Sequence, residues 1–237
     1  MSQHVVVISA GVGSPSSTRM LADQLAAAVE THAAELGGSV SVEFLELRDY
    51  ATDIANNLVG GFASPALAQL IAKVAAADAM IAVTPTFSAS YSGLFKSFFD
   101  ILDPKFIDGM PVLLGATGGT SRHSLMLDMA MRPLYSYLRA QVMPTAVYAS
   151  PEDWGQGSAE VSGLDYRISA AAGELAAVLA ASSATPHSPT PETNSAAEAQ
   201  EAADRFRPDH RQRRAGREQA KMTSLPFAQL LAQTQRR

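Results

Sequence analysis

The chain has 237 residues, 47% of them hydrophobic, and a formal net charge of −5, which is enough apolar material for one sizeable core with an appendage. It contains no cysteine. That excludes a disulfide framework, a thiolate-held zinc or iron–sulfur site and a thiol nucleophile, so a redox role requires an organic cofactor.

Residues 1–183 carry 9 Lys and Arg against 17 Asp and Glu (net −8), and residues 184–237 carry 9 against 6 (net +3). An acidic body argues against nucleic acid as a partner of the folded part. Met1–His4 leads into apolar residues without a basic leader. No apolar run approaches the roughly 20 residues of a membrane span. The expectation is a cytoplasmic protein with no membrane segment.

Val5-Val6-Val7-Ile8 reads as a buried first strand. Ser17 to Leu36 reads as the first helix, with Met20, Leu21, Leu25, Ala28 and Val29 at helical spacing and Gly37-Gly38 at its end. Val40 to Leu47 alternates apolar and polar residues, as a strand exposed on one face at a sheet edge does. A connection containing Asn56-Asn57 and Gly60-Gly61 leads to Ser64-Pro65, an N-cap followed by proline, and a helix to about Ala77. Ala79 to Thr84 is a third strand, Ser92 to Leu102 a third helix and Pro111 to Thr117 a fourth strand. Ser124 to Ala140 is a long helix that Pro133 should kink or divide. Val142 to Tyr148 is a fifth strand and Val161 to Ala181 a last, Ala-rich helix.

Strict alternation of five strands and five helices predicts an α/β protein with a doubly wound, five-stranded parallel sheet of flavodoxin-like order 2-1-3-4-5. Residues 1–183 are expected to form this domain. Residues 184–220, rich in Ser, Thr, Pro, Glu, Gln and Arg, are expected to be a disordered linker. Residues 221–237 contain a short amphipathic segment marked by Leu225, Phe227, Leu230 and Leu231.

In such a sheet, ligands bind beyond the carboxyl ends of the strands, near the point where strand order reverses. The first loop there runs from Ser9 to Arg19 and holds Gly11, Gly13, Ser14, Ser16, Ser17 and Thr18. Hydroxyls and free amides at a helix N-terminus suit a monophosphate, although the same residues also serve as helix caps. The Lys-bearing nucleotide loop and the pyrophosphate fingerprint are both absent. The second loop, Thr84 to Gly93, includes Pro85, Thr86, Phe87 and Ser88. It offers a wall for a flat ring, or an aromatic that packs on the core. In the third loop, Gly115 to His123, Gly118-Gly119 permits close backbone approach or makes an ordinary turn. His123 is a candidate proton donor, or a capping residue.

Pro85 to Lys96 and Ala116 to Thr120, followed by His123 and Arg132-Pro133, resemble the NAD(P)H-dependent FMN reductases. The resemblance is strongest to those that supply reduced FMN to two-component flavin monooxygenases, and it covers about residues 1–180. It implies FMN as cofactor, with NADPH or NADH as hydride donor. Ser9, Ser16, Ser17, Thr18 and Arg19 would lie around the flavin phosphate, Pro85, Thr86, Phe87 and Ser88 beside the ring, and Thr117, Gly118 and Gly119 on its other side. Hydride passes from nicotinamide C4 to flavin N5 in that family, with no side chain required as acid or base. Many relatives carry Arg where Ser14 stands, and some carry an aromatic residue where Met129 stands.

The resemblance also implies a homodimer or homotetramer. The residues point the same way, because the Ser124 to Ala140 helix has more apolar surface than one face can bury. A flavin-dependent monooxygenase is an implied partner. Rival readings are an FMN-containing quinone, azo or chromate reductase and a flavodoxin-type electron carrier.

Overall fold

Val5 through Ile8 are fully buried, with Val5 and Val7 facing one core and Val6 and Ile8 the other. This two-sided burial accounts for the continuous apolar run and makes β1 (Gln3–Ser9) an interior strand. A computed structural model describes residues 2–154 and 163–184. Of the linker expected at 184–220, Ala184 is the last residue of the final helix, and the rest, with the amphipathic segment at 221–237, lies outside the described residues.

After β1 the elements are α1 (Ser17–Glu35), β2 (Val40–Glu46), α2 (Ala51–Gly60), α3 (Pro65–Ala75), β3 (Ala79–Phe87), β4 (Ser90–Tyr91) and α4 (Gly93–Ile101). They continue with β5 (Pro111–Thr117), α5 (Arg132–Tyr137), β6 (Gln141–Val142), β7 (Val147–Ala149) and α6 (Leu164–Ala184). The strands run β2-β1-β3-β5, all parallel, with β6 and β7 in succession along the far side of β5. This is the expected flavodoxin-like order, with β2 at the edge. Helices α1 and α6 cover one face of the sheet, while α2 to α5 cover the other. Among the described residues no single helix is long and apolar enough to cross a membrane.

The structure differs from the sequence reading in several places, one of them β3, which runs on to Phe87 and pairs with β4 rather than ending at Thr84. The Asn56-Asn57 connection is the helix α2, in which Asn57 is buried rather than turning in solvent. The expected fifth strand is split into β6 and β7. Pro144 in the gap has no N–H to pair, and the guanidinium of Arg132 binds the carbonyls of Met143 and Pro144, both at 3.0 Å. Glu174 on α6 accepts from the Thr145 amide at 2.8 Å and from its hydroxyl at 2.6 Å.

The expected long helix from Ser124 to Ala140 is a π-helix at Leu127–Met131 and then α5, with Pro133 in the first turn of α5, and a 3₁₀ turn at Ser121–His123 precedes them. Pro133 cannot donate to the carbonyl four residues back, and Arg132 N–H reaches Leu127 O, five back. Finally, Met20 faces solvent at 46% exposure, and the buried stripe of α1 is Leu21, Ala22, Leu25, Ala26, Val29 and Ala33.

Candidate functional site

Ser9 and Thr117 are the last residues of β1 and β5, and Thr86 is the penultimate residue of β3, so the three loops singled out above open on one edge of the sheet. The structure also joins them. Thr18 and Thr117 share a buried hydrogen bond of 2.8 Å between their hydroxyls, tying α1 to the third loop. A Cβ on Gly118 would lie 2.0 Å from Tyr148 Oη and 3.3 Å from Thr86 Cβ, so only glycine lets the second and third loops and β7 meet. Gly118 N–H donates to Ala149 O at 3.1 Å, and Tyr148 Oη–H donates to Thr120 O at 3.1 Å. Gly119, by contrast, faces open space.

In the first loop, Gly11 is the position of closest approach, since a Cβ there would meet Ser16 Oγ at 2.1 Å. Ser16 caps α1 by accepting from Arg19 N–H at 3.2 Å, which leaves its hydroxyl proton for another acceptor. The first intrahelical bond runs from Met20 N–H to Ser16 O, so the amides of Ser17 and Thr18 precede the helical ladder. Ser17 is exposed, and Ser9 is buried with its Oγ unpartnered among the described residues. The Arg19 guanidinium is directed at β2. It binds Asp23 at 2.7 Å and Glu46 at 2.8 Å, and it lies 4.0 Å from the Phe44 ring centroid.

The second loop is a hairpin. Thr86 pairs with Tyr91 and Phe87 with Ser90, leaving Ser88 and Ala89 as the two turn residues, at φ 49° and 65°. Both central residues are left-handed, the geometry that matches strand twist and usually recruits Asn-Gly. The Thr84 hydroxyl accepts from Ser92 N–H at 3.1 Å and donates to Pro85 O at 3.0 Å, while Ser92 caps α4 through Phe95 N–H at 3.2 Å. With its base so fixed, the hairpin carries Phe87 outward at 47% exposure rather than into the core. Pro85 is buried, Ser88 is exposed, and the buried Thr86 Oγ1 has no partner among the described residues. Lys96, below the hairpin, is paired with Asp100 at 2.5 Å.

His123 is exposed, and Thr120 rather than His123 caps its 3₁₀ turn, through Arg122 N–H at 3.4 Å. Three contributors were not read from the sequence: Tyr148, Arg48 and the Asp153–Arg167 pair behind β7. Arg48 Nη1 donates to Gly13 O at 2.8 Å. Asp153 accepts from Ser150 N–H at 2.7 Å and from its hydroxyl at 2.8 Å, and it pairs with Arg167, whose Nη1 donates to Tyr148 O at 2.5 Å. Burial alone would raise the Asp153 carboxyl, but the Ser150 hydrogen bonds and the Arg167 charge outweigh it and hold it below the ordinary range. The position of Tyr148 at the carboxyl end of a strand was the one available signal for these residues.

The NADPH-dependent FMN reductase family model matches residues 4–155 and so includes all three loops. The chain belongs to this family. Among relatives of the FMN reductase family, it is 38% identical over 152 residues to FMN reductase (NADPH) of Pseudomonas aeruginosa, covering 63% of this chain and 78% of that one. It is 34% identical over 183 residues to the NADH-dependent FMN reductase SfnE of Pseudomonas putida, covering 77% and 91%. A solved oxidoreductase from Corynebacterium diphtheriae superposes with a TM-score of 0.71 at 43% identity, covering 75% of this chain and 96% of that one. The residues present also fit an FMN. Two buried hydroxyls at the strand ends await partners, Gly119 faces open space, and Gly11 and Gly118 let the loops pack closely on Ser16 and Tyr148. The helix N-terminus offers amides to an anion.

Proposed function

We propose that this protein catalyses the NAD(P)H-dependent reduction of FMN, with the flavin seated over the loops that follow β1, β3 and β5. The observation that carries this reading is the pair of buried, unpartnered hydroxyls, Ser9 Oγ and Thr86 Oγ1, at the edge where those loops converge. Bound FMN supplies the ring whose N5 accepts a hydride from nicotinamide C4. The chain's own part is to bind and orient. Ser9, Ser16, Ser17 and Thr18 hold the phosphate end with hydroxyls and amides, while Arg19 shapes the start of α1 through its anchorage to β2. Pro85, Thr86, Phe87 and Ser88 border the ring on one side, and Thr117, Gly118 and Gly119 approach it on the other. His123, exposed at the rim, need not move a proton.

The proposal extends to function within residues 1–183, to a cytoplasmic setting and to a homo-oligomer that passes reduced FMN to a flavin-dependent monooxygenase. Support for association comes from Leu125, Met129 and Tyr137, which stand 62%, 74% and 79% exposed along the π-helix and its flanks. Anaerobic mixing of the FMN-loaded protein with NADPH, and separately with NADH, tests the activity. Loss of the visible flavin absorbance together with nucleotide oxidation is the expected result. A flavin that stays oxidised with both nucleotides refutes the reading.

A further inference from the structure

From Ser9 to Thr18 the first loop contains no cationic residue. The next residue, Arg19, is occupied by two carboxylates and an aromatic face. A phosphate bound there by hydroxyls and amides alone would keep most of its charge uncompensated. Arg48 enters from the other side. It lies in the short 3₁₀ turn Leu47–Tyr50 directly after β2, at the carboxyl end of the edge strand beside β1. Its Nη1 donates to Gly13 O at 2.8 Å, a neutral acceptor that leaves the guanidinium charge in place. Its one ion-pair neighbour among the described residues is Asp49 at 3.7 Å, and the side chain is 39% exposed. Four of the five guanidinium donors make no hydrogen bond among the described residues, and they stand against a loop built to receive an anion.

We propose that Arg48 is the cation of the phosphate site. It latches the loop through Gly13 and offers its remaining donors and its charge to the phosphate of FMN, setting the preference for FMN over riboflavin. The inference rests on the reading of this site as an FMN site. The two can fail separately.

The test titrates FMN and riboflavin into the full-length flavin-free protein by fluorescence, at low and high salt. Wild type is compared with Arg48→Met, which keeps the stem and loses the charge, and with Arg48→Lys, which keeps the charge. The expected result is a wild type that prefers FMN, with a preference that falls about tenfold in Arg48→Met. Riboflavin affinity should be unchanged, the salt dependence of FMN binding should shrink, and Arg48→Lys should restore most of the loss. Equal loss of both flavins in Arg48→Met would make Arg48 a structural latch only and overturn the proposal. An FMN preference and salt dependence unaltered in Arg48→Met would overturn it as well. A wild type that binds riboflavin as well as FMN would instead remove the phosphate-site reading beneath it.

Discussion

Ser9 holds a hydroxyl that is buried at the end of β1 and makes no hydrogen bond among the described residues, a state that costs a folded protein about 1–3 kcal/mol. A ligand that accepts a hydrogen bond from this hydroxyl would offset that cost. Ser9→Ala should therefore leave the thermal stability of the flavin-free protein unchanged or higher by up to about 1 kcal/mol, while weakening FMN several-fold. Thermal unfolding without flavin and a fluorescence titration with it read the two effects, and loss of stability with unchanged affinity would make the hydroxyl structural. Tyr135 differs, because its fully buried hydroxyl meets only Met80 Sδ among the described residues, at 3.8 Å, while its ring packs against Phe95 and Phe99. Burial raises that phenol well above its ordinary range, so it stays protonated wherever the protein is folded. Tyr135→Phe keeps the ring contacts and should change stability by less than about 1 kcal/mol, whereas Tyr135→Ala should lose roughly 3–5 kcal/mol. Denaturant midpoints at constant slope distinguish these outcomes.

Among the elements, the turn after β7 is held to α6 by Asp153, which binds Ser150 and Arg167 together. A carboxyl held below its unfolded pKa contributes stability above that unfolded value and loses it as pH falls through the folded value. The stability gap between wild type and Asp153→Asn should thus be full from neutral pH down to about 5 and shrink steadily below about 4. Urea unfolding across that range measures it, and a gap independent of pH would mean that the carboxylate charge plays no part. The elements most legible in the sequence were those fixed by their own pattern. β5 spans Pro111–Thr117 as expected, because a continuous apolar run closed by Gly118-Gly119 marks a strand buried on both faces. α2 is hidden because Asn56-Asn57 carries turn chemistry that tertiary burial overrides, and the break between β6 and β7 is hidden because the apolar pattern runs on past Pro144, where Arg132 and Glu174 take the backbone groups of the gap. At the site, the loops were visible from topology. The Arg48–Gly13 contact spans 35 residues and leaves no local signal. The Ser88-Ala89 turn adopts a left-handed geometry with neither residue that normally announces it.

For the whole molecule, the exposed Leu125 and Met129 follow the third loop and the exposed Tyr137 ends α5. Met129→Asp should shift the mass seen by light scattering at micromolar protein from oligomer toward monomer; a monomeric wild type would contradict the proposed assembly. Deleting residues 185–237 should leave FMN affinity and flavin reduction by NAD(P)H nearly intact, and loss of flavin binding in that truncation would move the functional boundary past the last described helix. β3 pairs with β1 up to Val83 and with β5 up to Pro85, and its last two residues pair only with β4. In the proposed site the sheet itself is the floor, and one wall is a ribbon two strands wide that projects beyond it. Most of its tip is exposed: Phe87, Ser88 and Ala89 reach solvent. Natural variation at the tip, Phe87 to Ala89, can therefore change the molecules admitted to the proposed flavin face while Tyr91, at the base of the hairpin, stays packed on Phe95 in the core.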